Sequence, residues 1–196
     1  MSFYKNKENV KKYIEMAEGY DGKYLIKILK KYLPEGSSIL ELGMGPGKDL
    51  DILSKYYEVT GSDYSELFLD LYREKNKNMN VDLLVLDART LEISKKFDCI
   101  YSNKVLYHLT KSELKKSLNR QWEILNKDGI LFHSFWKGDK KEKQKGLNFV
   151  YYTEEKLREM ISDNFEIIDI ESYTEMEDSD SLYLILKKKW KKVIEY

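Results

Sequence analysis

The sequence predicts an α/β fold in which a mainly parallel sheet is flanked by helices. Short apolar runs alternate with helical patterns of about ten residues, the arrangement of successive βαβ units. The chain has 196 residues, about one domain at on the order of 100–200 residues each. Its composition, 42% hydrophobic and 35% charged, is that of a folding chain large enough to bury a core without disulfide or metal staples.

Residues 9–33 carry Tyr13, Ile14 and Ala17, then Leu25, Ile28, Leu29 and Leu33, at helical spacing. Gly19 and Gly22 divide this stretch into two helices, and Pro34-Glu35-Gly36 ends it. Residues 38–42 form a short apolar strand running into glycines. A helix over 48–57, a strand over 58–61 and a helix over 65–75 follow, then strands over 81–86 and 97–101. Thr110 and Glu113 stand at capping-box spacing, and the helix they open runs to about Asn126. Lys127-Asp128-Gly129 turns the chain into a strand over 130–135. Thr153 opens a helix with acids in its first turn, as the helix dipole favours. The last strands, 165–171 and 182–186, have no helical pattern between them, so an antiparallel pair at one edge is expected. The lysines of 137–145 predict a solvated loop, and residues 187–196 a basic, fraying tail.

Charge and cysteine usage exclude several function classes. Lys+Arg and Asp+Glu both number 34, without the basic surplus that phosphate neutralisation needs, so no nucleic-acid partner is expected. Cys99 is the single cysteine, and His108 and His133 are the only histidines, which predicts no disulfide framework and no metal centre. Residues 1–10 lack the apolar core of a signal peptide, and no run approaches the roughly 18 apolar residues of a membrane span. The expectation is a cytoplasmic monomer or homodimer with no membrane partner. Cys99 lies in an apolar strand and reads as buried packing.

The most informative segment is Glu41-Leu42-Gly43-Met44-Gly45-Pro46-Gly47-Lys48. A strand ends, three glycines follow at alternate positions, and a helix begins, which lets the backbone turn tightly and approach a ligand. A phosphate-binding loop needs Ser or Thr after Gly-Lys to hold magnesium. Asp49 stands there instead. A dinucleotide fingerprint needs a third glycine where Lys48 stands, and Glu41 would sit poorly beside a pyrophosphate. A nicotinamide-dependent oxidoreductase is therefore the weaker alternative.

The Glu-x-Gly-x-Gly-x-Gly pattern resembles motif I of the class I S-adenosylmethionine-dependent methyltransferases. Asp63 at the end of the second strand, Asp87-Ala88 after the third, 97–103 and the turn 126–131 resemble that family's further landmarks, in order. The resemblance implies a three-layer Rossmann-like sandwich around a seven-stranded, mostly parallel sheet with an antiparallel edge strand and an N-terminal helical lid. It divides the single domain 1–196 into N-terminal helices (1–36), a cofactor-binding core (37–135) and a substrate-side loop, helix and final strands (136–196).

It further implies S-adenosylmethionine as cofactor, held by Glu41, Gly43, Met44, Gly45, Gly47, Asp63, Tyr64, Asp87, Ala88 and Asn103. Asp63 would hold the ribose, and Asp87 with Ala88 the adenine. Asn103 is the candidate pocket floor. Tyr13, Tyr20, Tyr107, His133, Trp136 and Tyr152 are candidates for the acceptor pocket, and His108 for a general base. Members that methylate base or amide nitrogens carry Asn/Asp-Pro-Pro-Tyr/Phe after the fourth strand. Asn103 is followed here by Lys104-Val105-Leu106, so a small-molecule acceptor, through O, S, N or a metalloid, is expected. A non-catalytic cofactor-binding protein of the same fold is the remaining alternative.

Overall fold

The computed structural model describes residues 3–77 and 81–189. Its elements are α1 (Lys7–Met16), α2 (Lys23–Leu29), β1 (Ser38–Leu42), α3 (Lys48–Leu53), β2 (Glu58–Asp63), α4 (Glu66–Lys75), β3 (Asp82–Val85) and β4 (Phe97–Ser102). They continue with α5 (Lys111–Ile124), β5 (Leu125–Trp136), β6 (Lys141–Gln144), β7 (Leu147–Val150), α6 (Glu154–Met160), β8 (Phe165–Tyr173) and β9 (Ser181–Lys188).

Seven strands form one sheet in the order β3-β2-β1-β4-β5-β9-β8. β1 to β5 are parallel, while β9 runs antiparallel to both β5 and β8. An antiparallel pair thus closes one end of the sheet, as expected. The reversed strand is β9, second from that end, and β8 forms the edge.

Alternation along the strands gives the sheet two apolar faces. Ile39, Cys99, Tyr101, Phe132 and Ile185 face Leu25, Leu29, Leu50 and Leu69 of α2, α3 and α4. Leu40, Ile100, Leu131, Leu184 and Leu186 face Leu114, Leu118 and Leu157 of α5 and α6. Three layers result, with the carboxyl ends of β1 to β5 opening together on one rim. The capping box of α5 forms as predicted: Glu113 N–H donates to Thr110 Oγ1, and Thr110 N–H donates to Glu113 Oε2 at 2.8 Å.

Three sequence expectations need correction. Residues 127–129 do not separate α5 from a strand. The helix ends at Ile124 and β5 starts at once, because Phe97 of β4 already pairs with Leu125 and the register shift beyond it absorbs the turn residues. The lysine-rich stretch is not all loop. Lys141–Gln144 pairs antiparallel with Leu147–Val150 as a separate hairpin, for which the apolar β7 supplies the buried side. In the basic tail, Lys187 and Lys188 belong to β9. Lys188 is buried with its ammonium on the Leu125 carbonyl at 2.8 Å, and residues 190–196 of the tail lie outside the described residues.

Gly47, the N-cap of α3, has φ of 82°, and a Cβ there would lie 2.3 Å from the Tyr72 ring. Tyr72 is itself held by Asp51 at 2.7 Å. Gly47→Ala combines a left-handed backbone with a close ring contact, so we expect a loss of about 2–4 kcal/mol in urea unfolding. An unchanged midpoint would show that α4 moves away freely.

Candidate functional site

The turn from β1 into α3 is built on backbone conformations that L side chains adopt poorly. Gly43 and Gly45 have φ of 66° and 50°, and a Cβ on Gly43 would meet the Val105 methyls at 2.6 Å. Met44 N–H donates to the Ser62 carbonyl of β2 at 2.8 Å, which ties the turn to the neighbouring strand. Asp63, the last residue of β2, accepts from Gly45 N–H at 3.0 Å and from Ser65 N–H at 2.8 Å. Burial raises its carboxyl to about 6 against those bonds.

Asp87 follows β3 with its carboxylate on Arg89 Nε at 2.9 and 3.0 Å. Burial works to raise Asp87, but the Arg89 bonds outweigh it and the carboxyl stays below its usual range. Glu41, in β1, is buried, and its Oε2 has no hydrogen-bond partner among the described residues. Desolvation, with Asp49 and Asp63 nearby, holds its carboxyl well above the usual value.

These acids border two adjoining cavities at the carboxyl ends of the strands. Gly45, Asp63, Tyr64, Asp87, Ala88 and His108 line one. Tyr20, Glu41, Met44, Asn103, Tyr107 and Trp136 line the other. Tyr13, Gly43 and Lys104 border both, so the two adjoin as halves of one cleft region that the N-terminal segment helps to line.

Three sequence-predicted site residues line neither cavity. Gly47 shapes the turn from behind. His133 and Tyr152 are fully buried in the layer under α5 and α6. His133 is fixed by a polar chain: Ser102 Oγ donates to Nδ1 at 2.8 Å, and Nε2 donates to Gln121 Oε1 at 2.8 Å. Gln121 Nε2 continues to Ser117 Oγ at 3.0 Å, and Ser117 donates to the Ala88 carbonyl. The histidine therefore orders the backbone behind the cleft and does not reach a ligand. His108 is placed on the Asp63–Asp87 side, its ring 4.0 Å from that of Tyr107. Its Nδ1 donates to the Asn148 carbonyl of the hairpin at 2.7 Å, and burial lowers its basicity.

Two residues that motif reasoning passed over organise the other side. Asp49, buried in the first turn of α3, accepts from Gly22 N–H at 2.6 Å, Tyr101 Oη at 2.8 Å and Asn103 Nδ2 at 3.1 Å. It joins the N-terminal segment to β4, and its substitution for Ser/Thr after Gly-Lys was the only sequence signal. Lys104 follows β4 in a left-handed conformation with φ of 53°. Its N–H donates to Ser134 Oγ at 3.0 Å, and Ser134 Oγ donates to Asn103 Oδ1 at 2.6 Å.

Comparison with known proteins bears on the family and the fold. Residues 39–129 match the methyltransferase-domain family. A Geobacillus sp. (strain WCH70) protein named as a methyltransferase is 32% identical over 125 residues, 59% of this chain and 51% of the relative. This chain spans about half the length, or less, of the curated relatives it matches. The 1,6-didemethyltoxoflavin-N1-methyltransferase of Burkholderia thailandensis, solved with 1,6-didemethyltoxoflavin and S-adenosylhomocysteine, superposes with a TM-score of 0.80 at 18% identity, covering 95% of this chain and 84% of that one. A S-adenosylmethionine-dependent methyltransferase of Clostridium acetobutylicum superposes with a TM-score of 0.73 at 15% identity, covering 93% and 99%. At these identities the likeness of the structures is one of fold.

Burial depresses His133 to about 3, against about 6.5 in an unfolded chain. Below about 6.5 the unfolded chain takes up a proton that the folded one refuses, so this group removes stability as pH falls towards 3. The loss amounts to about 1.4 kcal/mol per pH unit. The buried carboxyls of Glu41, Asp49 and Asp63 are raised and act in the opposite sense, so the difference from His133→Gln isolates the histidine. We expect the variant to be less stable at pH 7, with a shallower fall between pH 6 and 4. Parallel unfolding curves at both ends of that range would show that His133 is charged in the fold.

Proposed function

Because residues 39–129 match the methyltransferase-domain family and the fold is shared with solved S-adenosylmethionine-dependent methyltransferases, we infer that the chain is a class I S-adenosylmethionine-dependent methyltransferase and transfers a methyl group to a small-molecule acceptor. The observation that carries this reading is the arrangement of Glu41, Asp63 and Asp87. Three acids from the ends of three successive parallel strands border one cleft, around a turn of left-handed glycines.

The residues fit the cofactor's chemistry. The orphaned Oε2 of Glu41 suits an ammonium, as the cofactor's methionine end carries. Asp63 is pinned by two backbone N–H groups, which leaves its carboxylate oriented to accept a pair of ribose hydroxyls. Asp87 and the Ala88 backbone stand across the same cavity for the adenine. Tyr13 borders both cavities, and its ring suits a neighbouring sulfonium. S-adenosylmethionine, when bound, supplies a methyl group activated by positive sulfur. The chain's own contribution is to align acceptor, methyl carbon and sulfur and to keep water out, the kind of positioning that dominates a direct displacement.

The acceptor side is the wall formed by Trp136, Tyr107 and Tyr20 in the half of the cleft that Glu41 also borders, which the acceptor shares with the cofactor's methionine end. His108, on the opposite half with its Nδ1 engaged, is assigned here to the cofactor side and not to proton abstraction. The balanced net charge favours a small metabolite over a macromolecular acceptor.

Titration calorimetry with S-adenosylhomocysteine tests the cofactor site. Asp63→Ala should weaken binding by about 1–3 kcal/mol, the scale of lost charge-assisted hydrogen bonds. Wild-type affinity should also fall below about pH 6, where Asp63 takes up its proton, by up to about tenfold per unit. That fall should be absent from Asp63→Ala. Equal affinity of the two proteins would remove Asp63 from the site. Tight binding with no transfer to any acceptor would favour a non-catalytic cofactor-binding role.

A further inference from the structure

We propose that Lys104 is the proton acceptor for the methyl-accepting group and that this group is the hydroxyl of a small aromatic compound. The inference rests on the methyltransferase reading above and deepens it.

Lys104 is built into the cleft from three sides. Its backbone stands in the left-handed region directly after β4, a conformation that persists only where the surroundings hold it. Its Nζ donates to the Phe135 carbonyl of β5 at 3.1 Å and to Ser181 Oγ of β9 at 2.6 Å. Ser181 Oγ in turn donates to Asp180 Oδ1 at 2.8 Å. Asp180 also accepts from the N–H groups of Glu175, Met176 and Glu177, which fixes the β8–β9 turn beside the lysine. The amine lies 3.9 Å from the centre of the Trp136 ring, which lines the acceptor half, and Lys104 as a residue borders both halves of the cleft.

This geometry suits a base. A neutral amine has two N–H groups and one lone pair. Phe135 and Ser181 engage two N–H groups in either protonation state, so gaining or losing the third proton leaves the side chain in place. Burial lowers Lys104 to about 8, with Glu175 and Asp180 of the β8–β9 turn opposing the shift. The Tyr173 ring of β8 lies 5.0 Å away, and Asp49 of α3 acts on Glu175 across the cavity.

The walls name the acceptor. Tyr107 and Trp136 line the acceptor half, and its mouth is rimmed by Met16, Tyr20 and Met176, which are 68%, 41% and 56% exposed. Flat, apolar molecules suit such a surface. An aliphatic amine would arrive as a cation beside Lys104, an aromatic amine arrives neutral with a free lone pair and needs no base before attack, and an aromatic thiol ionises near neutral pH without help. An aromatic hydroxyl needs a base near neutral pH. In the step, the hydroxyl proton passes to Nζ of neutral Lys104, and the oxygen lone pair forms the bond to the methyl carbon. The electron pair of the breaking carbon–sulfur bond stays on sulfur, and the proton leaves the ammonium to solvent after the product departs.

The test uses phenol and thiophenol as probe acceptors with saturating S-adenosylmethionine, on wild type, Lys104→Met and Lys104→Arg, from pH 6 to 10. Circular dichroism checks the fold and calorimetry the S-adenosylhomocysteine affinity. We expect wild-type transfer to phenol to rise with pH through a limb near 8 and then level. Both variants should lose about 100-fold or more on phenol, lack that limb and bind S-adenosylhomocysteine as wild type does. Transfer to thiophenol should fall by less than about tenfold, because its thiolate needs no general base. Rescue by Lys104→Arg would make Lys104 an anion anchor and overturn the proposal. Equal losses on both acceptors, or no transfer to phenol by a wild type that binds S-adenosylhomocysteine, would overturn it too. Failure to bind S-adenosylhomocysteine at all would instead remove the methyltransferase reading beneath it.

Discussion

The bond from Gly45 N–H to the Asp63 carboxylate joins the glycine turn to the end of the next parallel strand. Without it, two left-handed glycines would leave the turn free to choose among many conformations. With it, and with Met44 N–H on the Ser62 carbonyl, the turn has one shape. Gly43 then lies against Val105 and Gly47 against Tyr72, with no room for a Cβ at either place. The cleft depends on that shape, since both of its halves meet at Gly43.

Electrostatically the cleft is a set of carboxylates under different constraints. Asp87 is neutralised by Arg89 and stays ionised easily. Asp63 is buried yet carries backbone donors. Glu41 is buried and has an oxygen with no donor among the described residues. A buried acceptor left in that state is costly unless a cation arrives, so the emptiest position in the network is also the one best disposed towards a positively charged ligand group.

The acceptor side depends instead on long-range ties. Asp49 gathers Gly22, Tyr101 and Asn103, which are 27, 52 and 54 positions away in the chain. Lys104 meets Ser181 across 77 positions. The β6–β7 hairpin closes over His108 through Asn148 and Phe149. These ties bring together segments far apart in the chain, from α2 and α3 to β4, β7 and β9, so this half of the cleft exists only when the whole sheet is assembled.

How much of this was legible follows from the range of each interaction. The alternation of strands and helices, the glycines after β1 and the acids ending β2 and β3 are set by backbone conformation within a few residues, and they could be read from residue type and spacing. The capping box of α5 is equally local. His133 and Tyr152, pocket candidates by resemblance, lie instead in the core, because residue type and position along the chain do not state what covers a side chain; the layer of α5 and α6 covers both. The hairpin was hidden because Lys141–Gln144 has no apolar pattern and becomes a strand only by pairing with β7. The linear order of residues thus determined the layered α/β architecture and the glycine-and-acid half of the cleft, whose geometry is local. Folding alone decided that Asp49 and Lys104 would meet their partners there, because those contacts cross between strands and residue spacing carries no record of them.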